Sequence, residues 1–266
     1  MSCVQEEALT GGGLNEVVRI GSTVRRPTGP WTPNVHRLLE YLAPLGIAPV
    51  PHGVDERGRE VLTYLEGEVG HPPLADWLRS DEVLVAVARM VRRLHDATAG
   101  LVEGWGKGSG KGLGKGLGKG SGKGLVEGWE EWQGWQFPAV VPVEVICHND
   151  LAPYNMVFRD GMPAGVFDFD GARPGPRWWD VAYTAYCLVP FSPEFGTVED
   201  QRRRAGLFCE AYGLPVAGMG RRVLARLDDM VAMIRERPEF WRQREEGHEG
   251  YYLGHVEYVK DNFLGL

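Results

Sequence analysis

The chain has 266 residues, enough for one large domain or two small lobes, each with a core of its own. It is 43% hydrophobic and 24% charged, an ordinary globular composition, and its formal charge of −7 carries no basic block outside one tract, which excludes nucleic acid as the expected partner because phosphate backbones need a clustered positive face. No stretch reaches the roughly 18 apolar residues of a membrane span, no basic and apolar leader opens the sequence, and Cys3, Cys147, Cys187 and Cys209 share no metal-ligand spacing, so a soluble protein of the reducing cytoplasm is expected.

Residues 7–26 alternate as β-structure, broken by Gly11-Gly12-Gly13 and by Gly21-Ser22. Gly first in a two-residue connector suits a type II′ hairpin. Thr32 followed by Pro33 reads as the start of a helix whose apolar stripe is Val35, Leu38, Leu39 and Leu42. A second hairpin follows, with Asp55–Gly58 as its turn and EVLTYL as its strand. From Ser80 a helical stripe runs through Val83, Val87, Met90, Val91 and Leu94.

Residues 104–124 carry glycine at every even position and lysine at 107, 111, 115, 119 and 123, bracketed by two copies of LVEGW. Such a run loses too much backbone entropy on ordering and buries too little to hold a fold, so 103–135 is expected to be a flexible insertion. It is not a P-loop, since each Gly-Lys pair is followed by Gly rather than by the Ser or Thr that binds magnesium. Five spaced lysines are also a thin charge density for an anionic surface.

The densest chemistry lies in Cys147-His148-Asn149-Asp150-Leu151-Ala152-Pro153-Tyr154-Asn155, an HxDxxxxN pattern between apolar strands, followed by VFDFDGA with Asp168 at a strand end. Phosphoryl transfer needs one carboxylate beside the attacking hydroxyl, and an amide oxygen and a second carboxylate to hold Mg²⁺ against nucleotide phosphates. A loop aims Asp150 and Asn155 together, and Asp168 comes from the neighbouring hairpin. Beyond Trp179 the pattern is mostly helical, and its C-terminal acids and aromatics are interleaved with arginines, as on a solvated helix.

CHNDLAPYN followed by FDFDGARPGPRWWDVAY resembles the catalytic core of aminoglycoside-phosphotransferase-like kinases, relatives of protein kinases and choline kinases; Arg93-Leu94-His95-Asp96 also fits the family's helix end. The resemblance implies an α+β, bilobal, protein-kinase-like fold: a small antiparallel-sheet lobe over residues 1–67 and a mainly helical lobe over 68–266. It implies ATP or GTP with Mg²⁺ as cofactors and a hydroxylated small molecule as acceptor. Asp150 takes the role of catalytic base, Asn155 and Asp168 those of metal ligands, and Asp180 that of a brace for the loop. Gly11, Gly12 and Gly13 fall where a flap covers phosphates, and Tyr64 and Glu66 where backbone groups meet the adenine edge.

The family's phosphate-binding lysine has no counterpart, because no lysine precedes Lys107. Arg25 or Arg26 stands in its place; strand alternation allows one of them to face the site, and Arg25 is preferred from its position. For the helix glutamate that pairs with that lysine, His36 and Glu40 are the nearest residues. The missing lysine motivates an alternative, a non-catalytic nucleotide-binding regulator.

Overall fold

The computed structural model describes residues 6–9, 17–105 and 132–266. The Gly11–Gly13 flap and most of the Gly/Lys tract lie outside them. The chain packs as two compact units that interleave in sequence: unit 1 comprises Met1–Leu65, Leu94–His148 and Phe167–Arg177, and unit 2 comprises Glu66–Arg93, Asn149–Val166 and Trp178–Leu266. The first break falls beside the expected boundary at 67. Beyond it the chain crosses between the two units at 93/94, 148/149, 166/167 and 177/178.

In unit 1, strands β1 (Glu7–Leu9), β2 (Val17–Ile20), β3 (Thr23–Pro27), β4 (Pro51–Val54) and β5 (Arg59–Thr63) form an antiparallel sheet in the order β1-β2-β3-β5-β4. Gly21 sits at φ +61°, the positive value that the first turn residue of a type II′ hairpin requires, and Ile20 pairs with Thr23 across it. In the β4–β5 turn, Asp55 Oδ1 accepts the backbone N–H groups of Arg57 and Arg59. Helix α1 (Thr32–Leu42) buries Val35, Leu38, Leu39 and Leu42, the stripe read from the sequence. Thr32 is the first helical residue rather than the cap; its hydroxyl turns back to accept the N–H of Gly29.

Helix α2 (Asp81–Trp105) begins in unit 2, where Val83, Leu84, Val87 and Val91 are buried, and continues into unit 1. There β7 (Val145–Cys147) pairs antiparallel with β10 (Arg173–Gly175). In unit 2, β6 (Glu68–Val69), β8 (Met156–Arg159) and β9 (Met162–Val166) form a small sheet in that order. Asp160 and Gly161, both at positive φ, turn β8 into β9 as a type I′ connection demands. Helices α3 (Arg177–Leu188), α4 (Val198–Tyr212), α5 (Met219–Glu236), α6 (Trp241–Glu245) and α7 (His248–Phe263) complete the chain. At Gly220, α5 comes so close to the backbone of Phe263 in α7 that a Cβ has no room. Among the described residues, no helix is long and apolar enough to cross a membrane.

Candidate active site

The HxDxxxxN loop is assembled from its own short-range hydrogen bonds. Within unit 2, Ala152 N–H bonds to Asp150 O and Asn155 N–H to Ala152 O, a tight turn that folds Asn155 back over Asp150. The Asn155 amide then donates from Nδ2 to both Asp150 O and Asp150 Oδ2, each at 2.9 Å. Both partners accept only, so the NH₂ must face them, and the amide oxygen is the atom left for a cation. Asp150 Oδ1 receives the hydroxyl of Tyr154 at 2.6 Å.

The loop is braced from the helices of the same unit. Asn149 adopts φ +70°, an uncommon conformation for a residue with a side chain. Three groups hold it there. Its N–H donates to Oδ1 of the fully buried Asp180 at 2.8 Å, its Oδ1 accepts the indole N–H of Trp179 at 2.8 Å, and its carbonyl accepts from the Arg226 guanidinium. Arg226 itself is buried, with its guanidinium 4.8 Å from the ring of Trp179 and 4.9 Å from that of Tyr183. Thr184 donates to Leu151 O at 2.8 Å. Asp180 therefore takes the bracing position expected of it.

Unit 1 holds Asp168, also at positive φ (+64°), at the start of a short 3₁₀ turn through Phe169, Asp170 and Gly171. The buried His148 donates from Nε2 to Phe167 O just before this turn, and its ring lies 4.6 Å from that of Phe169. Arg26 of β3 meets three carboxylates here: Glu60 at 2.8 Å from Nε, Asp168 at 2.8 Å from Nη1, and Asp170 from Nη2. Burial works against the Arg26 guanidinium, but the three acids outweigh it and raise its pKa. Burial pushes the Asp170 carboxyl up to about 6 against the pull of Arg26. Glu60 stands directly opposite Arg26 in the β3–β5 register, and its second oxygen meets His36 Nε2 at 2.8 Å.

Arg26, not Arg25, is thus the strand arginine that reaches Asp168. Arg25 points to the other face, where it donates to Thr23 and approaches Asp55. The carboxylate partner comes from strand β5 rather than from helix α1, whose Glu40 is exposed and whose His36 reaches Glu60. Tyr64 donates its N–H to Ser22 O at 2.8 Å, and the guanidinium of Arg19 covers its ring at 3.8 Å. The backbone N–H there is already used, and Glu66, the first residue of unit 2, is exposed. Gly11, Gly12 and Gly13 lie outside the described residues.

A family model described as "Phosphotransferase enzyme family" matches residues 7–222 of the chain, which include the five-stranded sheet, the HxDxxxxN loop, Asp168 and helix α3. The chain belongs to that family. It is a phosphotransferase, and its fold is the protein-kinase-like one. A curated relative, the trifolitoxin immunity protein of Rhizobium leguminosarum bv. trifolii, is 37% identical over 220 residues, covering 79% of this chain and 74% of its own. An aminoglycoside 2″-phosphotransferase solved with GDP and kanamycin superposes with a TM-score of 0.57 at 14% identity, covering 99% of this chain and 95% of that one. A macrolide 2′-phosphotransferase of Brachybacterium faecium gives 0.54 at 16%, covering 96% and 91%.

Several residues of this phosphotransferase escaped the reading of its sequence: Glu60, Arg226, Trp179 and Tyr154. Glu60, Arg226 and Trp179 act through partners brought up by sheet register or helix packing, whereas Tyr154 meets Asp150 within the loop itself. In unit 2 the Asn155 amide oxygen, and in unit 1 the Asp168 carboxylate, are each hard oxygen donors of the kind Mg²⁺ takes. Among the described residues, no group of three His, Cys, Asp or Glu side chains forms an all-protein metal cage. Mg²⁺ held by one or two side chains plus substrate phosphates needs none.

Proposed function

We propose that this enzyme moves the γ-phosphoryl group of ATP or GTP to a hydroxyl of an antibiotic-like small molecule, with Asp150 as the catalytic residue that orients the hydroxyl and accepts its proton. The observation that carries the reading is the state of Asp150, whose two carboxylate oxygens each receive a donor on a loop locked by Asp180, Trp179 and Arg226. A group fixed in this way can hold a nucleophile in line without reorganising during the reaction. Asn155 and Asp168 are the proposed ligands of Mg²⁺, which when bound supplies charge neutralisation to the phosphates. Arg26 is the proposed phosphate contact. Its charge is permanent and its fork is anchored by acids, which answers the missing lysine that motivated a non-catalytic alternative.

The choice of acceptor class is supported by the aminoglycoside and macrolide phosphotransferases of the same fold, and by a relative named for immunity. Phosphorylating a toxic hydroxyl compound would disarm it. The deciding experiment is nucleotide consumption across a panel of hydroxylated antibiotics and metabolites, with ATP and GTP in parallel. Turnover should require Mg²⁺, vanish with a chelator and return when the metal is restored. Asp150→Ala should lower kcat by about 10³-fold or more, with nucleotide affinity retained. An Asp150→Ala enzyme with undiminished turnover overturns the assignment.

A further inference from the structure

The reading above counts the Tyr154 hydroxyl as one of two donors to Asp150 and gives it no separate part in the rate. Tyr154 lies in unit 2 with Asp150, and its oxygen is 2.6 Å from Asp150 Oδ1 and 2.8 Å from the hydroxyl of Tyr183. A phenol has one proton to give, and a carboxylate oxygen accepts only. The Tyr154 proton therefore goes to Asp150, and Tyr183 is the donor of the second bond.

The terminal torsion of an aspartate is soft and two-fold, so a carboxylate held at one oxygen still swings. Asn155 Nδ2 holds Oδ2 at 2.9 Å, and Tyr154 holds Oδ1. The Tyr154 bond joins a hydroxyl to an ionised acceptor, the short and strong class of hydrogen bond. With a donor on each oxygen, the plane of the carboxylate is set.

We propose that Tyr154, backed by Tyr183, is a positioning residue that fixes the plane of the Asp150 carboxylate towards the acceptor hydroxyl. The proposal rests on Asp150 being the catalytic residue, and the test keeps the two apart. Tyr154→Phe retains the ring and deletes one hydroxyl. It should lower kcat by about 10- to 100-fold while KM for nucleotide and acceptor moves by less than about two-fold. Tyr183→Phe leaves the Tyr154–Asp150 bond in place and should lower kcat by about two- to five-fold. The double variant should be no slower than Tyr154→Phe, because Tyr183 acts through Tyr154. Thermal midpoints of all three, measured in parallel, should stay close to that of the parent enzyme. A full-rate Tyr154→Phe enzyme beside a dead Asp150→Ala enzyme overturns this proposal alone, and so do multiplicative losses in the double variant. An Asp150→Ala enzyme with full rate overturns the underlying reading.

Discussion

Glu60 gives the sharpest quantitative test of how unit 1 is held together. Its side chain is 2% exposed; one oxygen meets Arg26 Nε and the other His36 Nε2, both at 2.8 Å. Glu60→Gln keeps the shape and both contacts: the new carbonyl can face Arg26 while the amide donates to His36 in its other tautomer. What disappears is the charge. Two unit charges about 4 Å apart interact by about 4 kcal/mol at the effective dielectric that suits protein sites, and breaking a buried pair costs about 3–5 kcal/mol. Arg26 keeps Asp168 and Asp170, so the loss should fall below that range, at about 2 kcal/mol. For a chain of this size that is about 4–8 °C in Tm, read by calorimetry. A Glu60→Gln enzyme melting with the parent would refute the account of Arg26 as a cation that needs this carboxylate.

Two further outcomes follow from unit 2. His255 is buried, accepts the Tyr186 hydroxyl on Nδ1 at 2.6 Å, faces Glu194 at 3.4 Å and packs its ring 4.2 Å from that of Tyr251; burial lowers its pKa below 6.5. On acidification the unfolded chain protonates this histidine before the folded one does, so stability should fall from about pH 6.5 through the depressed folded pKa. Urea midpoints between pH 5 and 7 should lose that slope in His255→Gln, and an unchanged slope would count against the assignment. Gly220→Ala places a methyl group against the Phe263 backbone, which cannot yield as a flexible side chain would. It should cost about 3 kcal/mol, seen as a lower urea midpoint at constant m-value; an unshifted midpoint would show that α5 and α7 can part there without loss.

The loop from His148 to Asn155 was legible because its chemistry is local. Asp150 and Asn155 are five positions apart, and the turn that joins them is made by backbone bonds inside that span. The stripe of α1 and the two N-terminal hairpins were legible for the same reason, since periodicity and turn residues act over a few positions. Arg25 against Arg26 was not: which of two neighbours faces the acids depends on the pleat of β3 against β5, a parity that spacing along one strand does not fix. Glu60 was hidden because its pairing follows from sheet register across 34 residues. Arg226 was hidden because it reads as an ordinary cation on an amphipathic helix until α5 brings it to Asn149. The interleaving of the two units was not legible either, since α2 and the hairpins around Asp150 and Asp168 each pass from one unit into the other over long connections.

The cross-strand placement of Arg26 and Glu60 has a consequence for control. In protein kinases the corresponding cation on the third strand is paired with a glutamate on a helix, and moving that helix connects or disconnects the two. Here the couple is stitched into neighbouring strands of one sheet, and α1 touches it through the imidazole of His36. A swing of α1 would release His36 and leave the couple closed. The latch that a mobile helix works in a signalling kinase is, in this enzyme, welded shut by strand pairing, as suits a catalyst whose traffic is set by the arrival of its substrate.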